Sequence, residues 1–317
     1  MSGAGEVAAS PGLGQHGTAE AMMLAATFFW ASNIVAGKVA LAAFSALALA
    51  QLRMGAAAIL YIAVYVAWRG LPPLRLGRRQ WGLLAAMALA GVTANQIFYI
   101  GGLARTSVTH AGLLQAIGPI AVLLLSAAMG REAWTARKLV GMTVAFLGVA
   151  LLLVDKPASG SGAHWTGDVL LILAGLVFAY YTILTKDVAD RYDPLTLNVY
   201  VFGLGAVFLI PFCTFPVARV PWATIPLPAW LGLGYMVLFG SFIAYLIYAF
   251  ALERLPASNV AAFAYLQPVM AALLGIWLLG ERLSTPVVIG GALILGGLYL
   301  TERARGGGRH LDHMAAG

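Results

Sequence analysis

Apolar runs of roughly twenty residues recur ten times along the chain, at about 20–43, 46–68, 81–103, 107–129, 135–154, 166–186, 194–216, 228–251, 257–279 and 285–302. Short polar or proline-rich breaks separate them: RGLPPLRLGRRQ, MGREAWTARK, DKPASGSGAHW, DRYDP, ARVPWATIPLP and GERLSTP. A helix of about twenty residues crosses the hydrocarbon core of a bilayer. Lipid supplies no hydrogen bonds, so each run must satisfy its own backbone, which a helix does and an isolated strand does not. The pattern therefore predicts an all-α integral membrane protein with ten transmembrane helices. Ser284-Thr285-Pro286, a capping pair followed by proline, marks one of their starts.

The pattern is also written twice. Residues 98–132, slid forward by 149 positions, lie without a gap on IYAFALERLPASNVAAFAYLQPVMAALLGIWLLGE. Tyr99 then meets Tyr248, Leu103 meets Leu252, Arg105 meets Arg254, Pro119 meets Pro268 and Glu132 meets Glu281. The same shift pairs Trp81 with Trp230, Gly91 with Gly240, Gly141 with Gly290 and Gly148 with Gly297. An internal duplication places function between its copies. Five helices per copy is an odd number, so the second copy enters the membrane from the opposite side. Two inverted-topology repeats with a site near mid-membrane are the arrangement of alternating-access transporters.

Composition agrees with the pattern: 61% hydrophobic, 10% charged and a mean hydropathy of +0.88 exclude a soluble globule. The net charge of +7 is not a nucleic-acid footprint, because the basic residues sit mainly in loops. Thirteen of them (Arg69, Arg75, Arg78, Arg79, Arg131, Arg137, Lys138, Lys186, Arg191, Arg254, Arg303, Arg305, Arg309) fall on one side of the ten-span pattern. Lys38, Arg105, Lys156, Arg219 and Arg282 fall on the other, and Arg53 lies within the second run. That bias predicts a multi-pass protein of the cell's inner membrane with both termini cytoplasmic. Residues 1–19 lack the basic start of a signal peptide and read as a disordered tail, as do residues 305–317. The single cysteine, Cys213, excludes an intramolecular disulfide.

The strings FFWASNIVAGK, LVFAYYTILTK and above all LQPVMAALLGIWLLGERLS resemble the EamA-type repeats of the drug/metabolite transporter superfamily. The resemblance covers nearly everything between about 20 and 302. It implies a first five-helix repeat over 20–155, a linker at 156–165 and a second repeat over 166–304. It also implies an exporter of amino acids and other metabolites, similar to the aromatic amino-acid exporters. One position departs from the pattern. Many relatives carry an acid just before the ninth-run proline, where this chain has Gln267, which argues against an acid-based proton relay there.

Helical spacing selects the candidate site, since residues at i, i+3, i+4 and i+7 share a face. Trp30, Asn33 and Gly37 form one strip, and Phe178, Tyr181 and Thr185 form its counterpart at an offset of 148. Gln96 and Tyr99 match Tyr245 and Tyr248, with Ser241 extending the row. His110, Leu114 and Gly118 match Asn259, Phe263 and Gln267. The alternative for such residues is an interfacial belt or a helix-to-helix hydrogen bond. Belts account for Trp68, Trp81, Trp134, Trp165, Trp222 and Trp230, which sit at run ends, and Tyr265 reads as packing. Lys38 closes the first run, either as an interfacial anchor or as a cationic partner for a substrate carboxylate. Pro119 and Pro268 each free a carbonyl one turn earlier, which makes a hinge or shapes a bowl.

No phosphate loop, metal-ligand cluster or nucleophile elbow appears, so no cofactor, no metal and no enzyme activity is expected. The expected partners are a small-molecule substrate and the lipid bilayer, with no nucleic acid, as a monomer or homodimer. Gly290-Gly291 and Gly296-Gly297 permit close helix contact, between copies or within one chain. Export of nucleosides or cationic drugs and lipid-headgroup flipping remain alternative activities. The twelve acids all fall in tails, loops or run ends, which leaves no buried carboxylate to carry a proton through the middle and predicts transport without an obligatory proton. His110, the one histidine within a run, is the alternative proton carrier.

Overall fold

A computed structural model describes residues 13–72, 76–130, 135–154, 164–188, 191–254, 263 and 266–314. Among the described residues the regular structure is entirely helical. In chain order the α-helices are α1 (Leu13–Leu41), α2 (Ala46–Arg69), α3 (Arg78–Ala88), α4 (Asn95–Leu103), α5 (Val108–Gln115), α6 (Gly118–Ala128) and α7 (Ala136–Val154). They continue as α8 (His164–Val188), α9 (Pro194–Ala218), α10 (Leu227–Tyr235), α11 (Ala244–Arg254), α12 (Leu266–Leu279) and α13 (Thr285–Met314). Both α1 and α13 extend into the expected tails, α1 beginning at Leu13 and α13 ending at Met314.

Among the described residues seven helical stretches are long and apolar enough to cross a membrane. They are Glu20–Leu41, Ala46–Arg69, Arg78–Leu103, Val108–Ala128, Trp165–Thr185, Pro194–Ala218 and Leu227–Ala251. Leu266–Leu279 and Thr285–Leu300 are shorter apolar helices, and α7 is an apolar helix of 19 residues. Side chains such as Ile59, Leu147, Phe212 and Trp277 are exposed on the outside of the bundle, as lipid-facing positions require. The protein is therefore a multi-pass membrane protein.

Local chemistry sets the helix ends. The Ser45, Ser107 and Asp193 side chains accept from the amides of Ala48, His110 and Thr196, satisfying donors that the first helical turn leaves open. Asp193 also binds Arg69 at 2.7 Å, tying α9 to the end of α2. Burial alone would push the Asp193 carboxyl up, but hydrogen bonds from Thr196 and Arg69 bring it below its ordinary value. Pro119 sits in the first turn of α6, and the break between α5 and α6 falls at 116–117, just ahead of it. Gly130 and Gly280, with φ of 70° and 66°, end α6 and α12 in the left-handed region that glycine tolerates.

Two membrane stretches contain a π-helical segment, Leu89–Ala94 between α3 and α4, and Met236–Ile243 between α10 and α11. The segments nearly coincide under the shift of 149 residues. Each carries a glycine that receives a side chain from another helix: Gly91 lies against the Tyr181 ring and Gly240 against the Asn33 amide. Tyr181 and Asn33 are themselves equivalent at the offset of 148. Tyr61 donates to the carbonyls of Ser241 and Phe242, at 3.0 and 3.1 Å, which the wider π turn leaves accessible.

The glycines of α7 and α13 make the tightest helix contact. A methyl group built on Gly148 would stand 2.5 Å from the Gly290 carbonyl oxygen, and one on Gly290 would stand 2.9 Å from the Gly148 oxygen. Gly297 meets the Gly141 carbonyl in the same manner. Position 290 thus faces 148 while 297 faces 141, so the two helices run antiparallel. Of the α13 glycines, Gly290, Gly291 and Gly297 meet other parts of the chain, and Gly296 has nothing close to it.

Candidate functional site

The centre of the bundle gathers polar side chains from helices far apart in sequence. Arg53 lies in the third turn of α2, about 10 Å along the helix from its first residue. Its side chain does not escape to the surface, being only 3% exposed. Nε donates to Ser241 Oγ at 2.9 Å and Nη1 donates to Gln96 Oε1 at 3.1 Å. The guanidinium carbon stands 6.0 Å from the centre of the Tyr99 ring. Gln96 is held by its own bond to Asn95 Oδ1, and Asn95 donates to the Ala174 carbonyl of α8. Tyr99 in turn accepts from Asn33 Nδ2 at 3.4 Å, while Asn33 Oδ1 is buried with no hydrogen-bond donor among the described residues.

Charge is the notable quantity here. No carboxylate among the described residues hydrogen-bonds Arg53, and its Nη2 makes no hydrogen bond among them. A guanidinium in a membrane helix costs about 2.5–3.5 kcal/mol at the centre even on the most lenient scale. Hydrogen bonds to neutral oxygens recover part of that cost.

An aromatic group adjoins this centre. The Trp30 ring meets Tyr245 edge-on at 5.9 Å and Tyr248 at 5.5 Å. Phe178 lies 5.5 Å from Tyr181 and 6.4 Å from Tyr245, and Phe202 is 5.3 Å from Tyr245. Phe263 packs into the same apolar cluster as Trp30 and Tyr248. The rings come from α1, α8, α9, α11 and residue 263, so no single helix could present them. Offset and edge-to-face contacts of this kind are favourable and leave ring faces and edges for a bound apolar group.

The predicted residues thus divide. Trp30, Asn33, Gln96, Tyr99, Phe178, Tyr181, Ser241, Tyr245, Tyr248 and Phe263 belong to the central polar and aromatic groups. Gln267 and Pro268 are buried in the first turn of α12. Asn259 and Tyr265 lie outside the described residues.

His110 and Lys38 lie elsewhere, near one end of the bundle. His110 Nδ1 is 2.9 Å from Asp168 Oδ2, and Thr106 Oγ1 donates to Asp168 Oδ1 at 2.6 Å. Asp168 is 0% exposed, a carboxylate buried at the end of its run and not midway along it. It is the fifth residue of α8, close enough to the helix end to read as interfacial, yet the turn before α5 folds over it. A buried acid thus faces a histidine at one end of the bundle. On the same side of the bundle, Glu281 Oε1 accepts from the Val108 amide at 2.6 Å. Its Oε2 accepts from the Thr109 amide at 2.9 Å and from the Thr109 hydroxyl at 2.6 Å. Lys38 has this carboxylate as its electrostatic neighbour.

Sequence spacing missed Arg53 and Asp168. For Arg53 the signal was present: an ionisable residue inside an apolar run is a functional candidate by default.

The model of the EamA-like transporter family matches the chain twice, over residues 17–154 and 165–303. The chain belongs to the EamA-like transporter family. As such it is a transporter, with a small molecule as cargo and lipid around it. An uncharacterized transporter of Archaeoglobus fulgidus is 32% identical over 284 residues, covering 88% of this chain and 96% of that one. A probable terminal-alkyne amino-acid exporter of Streptantibioticus cattleyicolor is 29% identical over 274 residues, covering 86% and 90%. One crystal structure, 19% identical, superposes with a TM-score of 0.63 over 90% of this chain and 97% of its own, a likeness of fold.

Proposed function

We propose that this EamA-like transporter exports small metabolites, amino acids with apolar or aromatic side chains foremost, by alternating access between two inverted five-helix repeats. The observation that carries the reading is the aromatic group joining Trp30, Phe178, Tyr181, Tyr245 and Tyr248, because it draws on both family-matched segments and adjoins hydrogen-bonding side chains. A site with ring faces beside amide and hydroxyl groups suits a cargo with one apolar and one polar end. The Streptantibioticus relative supports an amino acid as that cargo.

The inverted arrangement is supported by the antiparallel contact of α7 with α13 at glycines 149 residues apart in type. Equivalent helices of a parallel repeat would run the same way. On this reading the seven long helices, the two shorter ones and α7 would make the ten passes. In that topology the Glu281 and Asp168 contacts close the external end, while both termini are cytoplasmic. A reporter active only outside the cytoplasm should be silent at either terminus and active when inserted near Gly160. Activity at the C-terminus would mean an odd number of passes and end the inverted reading.

The direct test is uptake into proteoliposomes of phenylalanine and leucine against a nucleoside and a quaternary ammonium dye. Amino-acid uptake is expected, with losses of roughly three- to tenfold in apparent affinity for Gln96→Leu and Tyr245→Leu, the size of one or two polar contacts. Transport of the dye but of no amino acid would replace the reading with drug export.

A further inference from the structure

We propose that Arg53 is the receptor for a carboxylate on the cargo, so that the substrates of this transporter are amphipathic monocarboxylates bound charge-first. The proposal rests on the reading of the central groups as the cargo site. Arg53 is fixed by two neutral acceptors, Ser241 Oγ on its Nε and Gln96 Oε1 on its Nη1. These bonds hold the guanidinium plane at three helical stretches without neutralising it. Nη2 keeps both of its N–H donors among the described residues and Nη1 keeps one, enough to meet two carboxylate oxygens.

A purely structural role explains the hydrogen bonds but not the charge, since a glutamine could bridge Ser241 and Gln96 without placing a cation in a membrane helix. The surrounding chemistry narrows the ligand further. Lys38, the other cation considered for an anion, has Glu281 as its electrostatic neighbour, whereas no acid hydrogen-bonds Arg53 among the described residues. One unit of positive charge balances a carboxylate and leaves a phosphate dianion half-compensated. Tyr245 is an electrostatic neighbour of Arg53 and its ring meets Phe202 at 5.3 Å, so an aromatic pair adjoins the cation to receive the apolar part of the molecule. A quaternary ammonium with no carboxylate of its own would meet only like charge at this point and is disfavoured.

The test uses the full-length protein in lipid nanodiscs, reading the thermal-unfolding midpoint from tryptophan fluorescence. The probes are phenylalanine and 3-phenylpropionate against phenylalaninamide and 3-phenylpropionamide, which keep the ring and lose the carboxylate charge. The acids should raise the midpoint at concentrations more than about tenfold below those the amides need. R53Q should abolish that discrimination, and R53K, which keeps the charge but not the fork, should weaken the acids several-fold and leave the amides unchanged. R53K carries the comparison if R53Q does not fold. Equal response to acids and amides in the unaltered protein, or R53K binding acids as the unaltered protein does, overturns the proposal. Arg53-dependent stabilisation by 3-phenylpropionate without any amino-acid uptake retains the carboxylate site and removes the amino-acid reading. Uptake of phenylalanine and its amide at the same rate does the reverse.

Discussion

Replacing Glu281 by alanine is expected to lower the thermal-unfolding midpoint of the detergent-solubilised protein by roughly 5 °C, about 3 kcal/mol at the sensitivity usual for larger chains. Three hydrogen bonds to one carboxylate are lost together, from the Val108 amide, the Thr109 amide and the Thr109 hydroxyl. Two of the donors are first-turn amides of α5 that the helix cannot satisfy itself. The carboxylate also sits at the positive end of that helix. Glu281→Gln, which keeps one acceptor oxygen, should lose about half as much. Combining Glu281→Gln with Lys38→Met should cost less than the two changes added, because the first leaves the ammonium of Lys38 without its counter-charge. Strict additivity would mean that Lys38 and Glu281 do not interact.

Gly148→Ala and Gly290→Ala should each destabilise by about 3 kcal/mol, the upper end of overpacking costs, and reduce the yield of monodisperse protein on size exclusion. The added methyl in each case meets a backbone carbonyl of the facing helix, which cannot rotate away as a side chain would. Gly296→Ala is the control in the same helix. Nothing lies within 4 Å of its new methyl, and alanine favours the helix by up to about 1 kcal/mol over glycine. If Gly290→Ala and Gly296→Ala behaved alike, the contact between α7 and α13 would not be as close as described.

Much of this was legible in the chain. Runs of twenty apolar residues announced the helices because length and hydropathy are one-dimensional properties. The aromatic group was legible too, since Trp30, Tyr245 and Tyr248 obey helical spacing and the duplication says which strips correspond. What spacing could not give is which helices adjoin. Arg53 finds Ser241 at a separation of 188 residues, and Glu281 finds Val108 at 173. His110 shares a strip with Leu114 and Gly118, yet lies only three residues from the N-cap of α5. End effects therefore decide its partner, Asp168, in place of the central groups. The π segments carry no sequence signature either. Ser241, inside the second π segment, bonds Arg53, while Tyr245 and Tyr248, in the α-helix that follows, meet Trp30.

Ser45 and Asp193 cap α2 and α9 at an offset of 148. At the same offset the place of Arg53 is taken by Val201, which is wholly buried. One half of the duplicated chain thus carries a cation where the other carries a hydrocarbon. Under the proposed carboxylate site, a molecule lodged between them would have a head and a tail, and only one way round. With Arg53 as its anchor, the passenger would leave with the same end leading every time.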